Sequence, residues 1–109
     1  MNESEFIDLA DNTIEAIQAA VDECDADLDC DEVGGVLTLE FDNGSKIIFS
    51  KQTPLKQLWM AAKAGGFHFN YDEAKQQWIC DSGEKENLNV MLNRLASEQA
   101  GEPVVIFPV

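Results

Sequence analysis

Apolar side chains recur at Phe6, Leu9, Ala10, Ile14, Ile17 and Val21, the three-and-four spacing that one face of an α-helix produces. Asn2 precedes this run with Glu5 three residues on, so the helix is expected to open on a capping box. At 100° per residue, Asp8, Asp11, Glu15, Gln18 and Asp22 fall on one outward stripe. The period then shortens to two, because Asp27, Asp29 and Asp31 alternate with Leu28 and Cys30. A turn near Asp25-Ala26 and a first strand with three aspartates on one face follow from that change.

Strand patterning continues through the middle of the chain. Leu37, Leu39 and Phe41 alternate with Thr38 and Glu40, and Asp42-Asn43-Gly44 supplies a hairpin turn into Lys46-Ile47-Ile48-Phe49. Thr53-Pro54 interrupts the pattern. Gln57-Leu58-Trp59-Met60-Ala61-Ala62 reads as the next strand, Gly65-Gly66 as a turn, and Phe67-His68-Phe69-Asn70-Tyr71 as its hairpin partner. Gln77 to Asp81 is a last strand. A second helix is expected after Ser82-Gly83, with Glu84 and Glu86 in its first turn, Leu88, Met91, Leu92 and Leu95 on one face, and Gly101 as its stop. The apolar tail from Pro103 to Val109 is expected to pack in extended form against both helices. This order predicts an α+β fold in a single domain, 1–109: two helices on one face of a five- or six-stranded antiparallel sheet, the other face open.

Charge changes this picture most. The net charge is −14, and residues 1–32 hold twelve acids and no Lys or Arg. Such a field repels phosphate backbones and attracts cations or basic protein patches, which argues against nucleic-acid binding. No run approaches the roughly 18 apolar residues of a membrane helix, and the start lacks the pattern of a signal peptide, so a cytoplasmic protein is expected. Three cysteines and one histidine, without a Cys-x-x-Cys pair, argue against a disulfide framework or a structural zinc site.

The densest acidic stretch, VDECDADLDCDE, spans residues 21–32. It does not fit an EF-hand, which needs a glycine at position six and a following helix. A register from Asp25 puts Cys30 at the glycine position, and a register from Asp29 puts Val33 at position five. Carboxylate oxygens still suit hard cations, but aspartates about 7 Å apart along a strand do not all surround one ion. Loose cation binding, a docking surface for a basic partner and a solvated face remain open from the residues alone. Trp59 is expected on the open sheet face as a contact candidate. His68 lacks a recognisable nucleophile and acid around it, and no glycine-rich phosphate loop is present.

Taken in order, the acidic helix and tract, GGVLTLEFDNGSKIIFSKQTPLKQLWMAAKAGGFHF, and QWICDSGE before the second helix resemble the frataxin family, most closely its bacterial members. NGSKIIFSKQTPLKQLW is the most specific part, and the likeness covers nearly the whole chain. The resemblance implies a frataxin-like α-β-α sandwich and a role in iron–sulfur cluster assembly. It implies weak, reversible binding of Fe²⁺ or Fe³⁺, with other hard cations able to substitute, at Asp22, Glu23, Asp25, Asp27, Asp29, Asp31 and Glu32. It further implies docking on a cysteine desulfurase, and on the iron–sulfur scaffold protein, through Glu15, Asp22, Glu23 and Trp59. The expected protein is a non-catalytic monomer that oligomerises with iron. Gln18 and Ala19 depart from the acidic residues often found there in bacterial relatives. Two other readings are a ferroxidase or iron store, which the missing Glu-x-x-His motif disfavours, and an acidic mimic of DNA.

Overall fold

The computed structural model describes residues 1–108. α1 (Glu3–Glu23) leads into β1 (Leu28–Val33), β2 (Val36–Phe41), β3 (Lys46–Gln52), β4 (Gln57–Ala62), β5 (Gly65–Asp72) and β6 (Gln77–Cys80), and α2 (Leu88–Ala100) follows. The six strands form one antiparallel sheet in chain order, so β1 and β6 are its two edges. Such a meander needs only short connections. Gly34 and Gly35, both at positive φ, make the two-residue β1–β2 turn, and a 3₁₀ turn at Thr53–Leu55 joins β3 to β4.

Alternation decides which sheet face is buried. Leu37, Leu39, Ile47, Phe49, Leu58, Met60 and Phe69 point to one side and are fully buried, against Phe6, Ile14 and Ile17 of α1 and Leu92 and Leu95 of α2. Each such side chain contributes roughly 1.5–3 kcal/mol of burial. Trp78 closes the β6 end of this core: it meets Phe6 edge-on at 6.1 Å and Tyr71 at 5.1 Å, and its indole N–H donates to Thr13 Oγ1 at 2.9 Å. At the start of α1 the capping box forms between Asn2 and Glu5. Residues 103–108 pack against α2, where Val104 and Ile106 are buried and the Asn93 side chain bonds the backbone of Ile106 and Phe107. Val109, the end of the expected tail, lies outside the described residues. Among the described residues no helix is long and apolar enough to cross a membrane.

Several local expectations are corrected. α2 begins at Leu88, not after Gly83, so Glu84 and Glu86 precede its first turn. The chain there is held extended beside β6, because Cys80 N–H donates to the Glu86 carbonyl at 2.9 Å and Ile79 bridges Asn87. Asn87 then caps the helix through Val90 N–H. The β4–β5 turn is at Lys63-Ala64, and Gly65-Gly66 belong to β5. Gln99 of α2 accepts from Lys63 N–H and fastens that turn. Asp27 precedes β1, which starts at Leu28, and Asp11 is paired with Lys51 of β3 and so is withdrawn from the free acidic stripe.

Candidate cation and partner-docking ridge

Residues 22–32 carry seven carboxylates over the end of α1, a short bend and the first edge strand. Asp22 and Glu23 occupy the last turn of α1, where no basic residue is present. That is the negative end of the helix dipole, and an unpaired carboxylate is disfavoured there by about 0.3–1 kcal/mol. Asp25 lies in the bend. Asp27 lines a separate depression of about 250 Å³ together with Asp42 and Glu102. Asp29 and Asp31 are exposed on the open sheet face, while Leu28 and Cys30 turn toward the core. Glu32 lies beside the β1–β2 turn and accepts from Gly35 N–H at 3.2 Å.

Register adds a residue that spacing alone did not reveal. Asp29 stands opposite Glu40 and Asp31 opposite Thr38, and Glu40 in turn stands opposite Lys46. These side chains and Cys30 line an open depression of about 230 Å³. Two carboxylates directly across an antiparallel pair repel. The Val33-Gly34-Gly35-Val36 turn sets this register, so the glycine pair was the signal from which Glu40 could have been found. Cys30 ties helix and strand together: burial pushes its thiol above the ordinary 9.0, and the nearby carboxylates of Asp22 and then Asp31 push it further.

Among the described residues, Asp22, Glu23, Asp25, Asp27, Asp29 and Asp31 accept no protein hydrogen bond and join no ion pair, in contrast to Asp11 and Glu86, which pair with Lys51 and Arg94. The arrangement is a run of free carboxylates. Trp59 lies on the same open face as Asp29 and Asp31, two strands away from β2, between Ser50 and His68 in register. Its indole rests on β5, where a Cβ at Gly66 would stand 3.0 Å from Nε1. A larger residue there would press on the ring and require it to shift by a few tenths of an ångström. His68 is half-buried, and its Nδ1 is buried without a partner among the described residues. Glu15 is exposed on α1, on the other side of the sheet from Trp59.

Residues 1–102 match the Frataxin-like domain family. An iron–sulfur cluster assembly protein CyaY of Pseudomonas aeruginosa is 53% identical over 104 residues, covering 95% of each chain, and one from Ectopseudomonas mendocina is 50% identical over 101 residues, covering 93% of this chain and 91% of its own. The chain belongs to the frataxin family. A solved frataxin from Psychromonas ingrahamii is 37% identical and superposes with a TM-score of 0.87 over 99% of this chain and 100% of its own. The expected frataxin-like sandwich is therefore the fold of this chain, with six strands.

The family is associated with iron–sulfur cluster assembly, so iron is the ion whose demands the ridge has to meet. The donors fit a hard cation, since they are carboxylates. They do not converge: among the described residues no group of three or more His, Cys, Asp or Glu side chains forms a ligand set. This frataxin-family ridge suits an ion held by one or two carboxylates, with water completing the shell.

Proposed function

We propose that this chain is a non-catalytic, iron-binding regulator of iron–sulfur cluster assembly in the cytoplasm. Asp22, Glu23, Asp25, Asp27, Asp29, Asp31 and Glu32 hold Fe²⁺ or Fe³⁺ loosely. Asp22 and Glu23, with Glu15 and Trp59, take part in docking on a cysteine desulfurase, and the iron–sulfur scaffold protein is a further partner. The observation that carries this reading is the placement of the free carboxylates. Asp22 and Glu23 sit at the wrong end of a helix dipole, and Asp29 faces Glu40. Among the described residues neither arrangement is closed by an ion pair, and an arriving cation relieves the repulsion in both. The names of the relatives, iron–sulfur cluster assembly proteins, supply the pathway.

Iron and a basic protein surface then draw on the same charges, so each weakens binding of the other, and both interactions weaken as salt rises. Replacing Asp27, Asp29 and Asp31 with Asn tests this reading. Affinity for ferrous iron, measured by anaerobic calorimetry, and affinity for the desulfurase are each expected to fall about tenfold or more, equivalent to about 1.4 kcal/mol. Unchanged affinities in a folded variant would refute the assignment.

A further inference from the structure

The outer edge of β1 is the only strand edge of the sheet, among the described residues, that no other segment pairs with. In a two-residue hairpin the closing pair exchanges both of its backbone hydrogen bonds, and the pattern then alternates. Val33 and Val36 are that pair, so Asp31 and Asp29 bond inward to Thr38 and Glu40. The N–H and C=O groups of Cys30 and Glu32 consequently face away from the sheet. No hydrogen bond reaches the Cys30 or Glu32 N–H from any described residue.

We propose that this edge is a pairing site for an extended lysine- or arginine-rich segment of a partner protein, which adds a seventh, outermost strand beside β1. The charge around the edge selects that occupant. Asp29 and Asp31 flank it on the open face, and Asp22 flanks it on the helix side, close enough to act on the Cys30 thiol. An added strand places successive side chains on alternate faces, so cations on either face of the incoming segment meet carboxylates. A second copy of this chain is disfavoured by the same charges, which place acids against acids along the bare edge. The edge also joins two surfaces otherwise separated by the sheet. Asp22 lies on the helix side of β1 and Asp29 and Asp31 on the open face, so a strand added along β1 reaches carboxylates on both layers. This inference rests on the reading of the ridge as a docking surface for a basic partner.

A seven-residue peptide of alternating Lys and Thr is the probe, compared with the same peptide N-methylated at every backbone nitrogen, which keeps the charge and removes the donors. The unmethylated peptide is expected to bind at least tenfold tighter at equal salt. It is also expected to slow amide hydrogen exchange at Cys30 and Glu32 at least tenfold and to give backbone nuclear Overhauser contacts to β1. Equal binding of both peptides without slowed exchange overturns the pairing while leaving the docking reading intact. Failure of both peptides to bind overturns the docking reading as well. Concentration-dependent dimerisation of the chain alone, with slowed exchange at Cys30 and Glu32, identifies a second copy as the occupant and overturns the proposal.

Discussion

At the β6 edge the chain folds back on its own sheet: Glu86 and Asn87 pair with Cys80 and Ile79, Asn87 then caps α2, and Trp78 anchors the strand on Phe6 and Thr13. At the β1 edge none of this happens. Leu28 and Cys30 are half-buried, and among the described residues the outer backbone groups are unpaired and the carboxylates of Asp22, Asp29 and Asp31 join no ion pair. One edge is finished by backbone pairing and packing, and the other is protected only by repulsion. The contrast separates the parts of the molecule that hold it together from the part that is free to bind. A carboxylate withheld from internal pairing contributes little to stability and keeps its field for an outside cation.

The largest expected effect lies at the closed edge. Trp78→Ala removes a large buried ring and the bond to Thr13, and is expected to cost about 3–5 kcal/mol in denaturant unfolding. Ferrous iron affinity of the folded fraction is expected to stay unchanged. Loss of iron affinity in proportion to stability would mean that the two edges act as one unit.

At the open edge a single change is expected to work in the opposite direction. Asp29→Asn relieves the repulsion from Glu40 and should raise stability by about 0.2–1 kcal/mol while weakening iron binding. A destabilised variant would mean that Asp29 has a structural partner. The smallest effect concerns Cys30. Its folded value is raised by burial, Asp22 and Asp31, so the folded chain holds this proton longer than the unfolded chain. Its contribution to stability is therefore fully present below the unfolded value of 9.0 and is lost as pH rises through the raised folded value. Alkylation of Cys30 by iodoacetamide near pH 9, read by mass spectrometry, should be slower than that of free cysteine, and Asp22→Asn should make it faster. Equal rates in both proteins would remove Asp22 from the neighbourhood of the thiol.

Much of the fold was legible because its signals are local. The capping box at Asn2 and Glu5, the alternation from Leu37 to Phe41 and the helical face of Leu88, Met91, Leu92 and Leu95 each lie within one element. The start of α2 was not, because a long-range bridge from Ile79 to Asn87 overrides the favourable placement of Glu84 and Glu86 before a helix. Gly65-Gly66 read as a turn, yet Gly66 is in β5 beneath the Trp59 ring, a constraint that arises only when two strands meet. In the ridge, the concentration of acids was plain from composition. Which ones stand free was not: Asp11 is taken by Lys51, and Glu40 joins Asp29, through pairings between residues far apart in the chain.

In the function proposed above, one ridge serves both a cation and a basic partner. An anaerobic titration of the isotope-labelled chain with Fe²⁺, followed by cysteine desulfurase, measures this directly by NMR. Iron is expected to broaden amides within residues 22–32, the desulfurase to perturb an overlapping set, and each to lower the apparent affinity of the other. Perturbation by the desulfurase confined to α2 and β6, with affinities independent of iron, would contradict it.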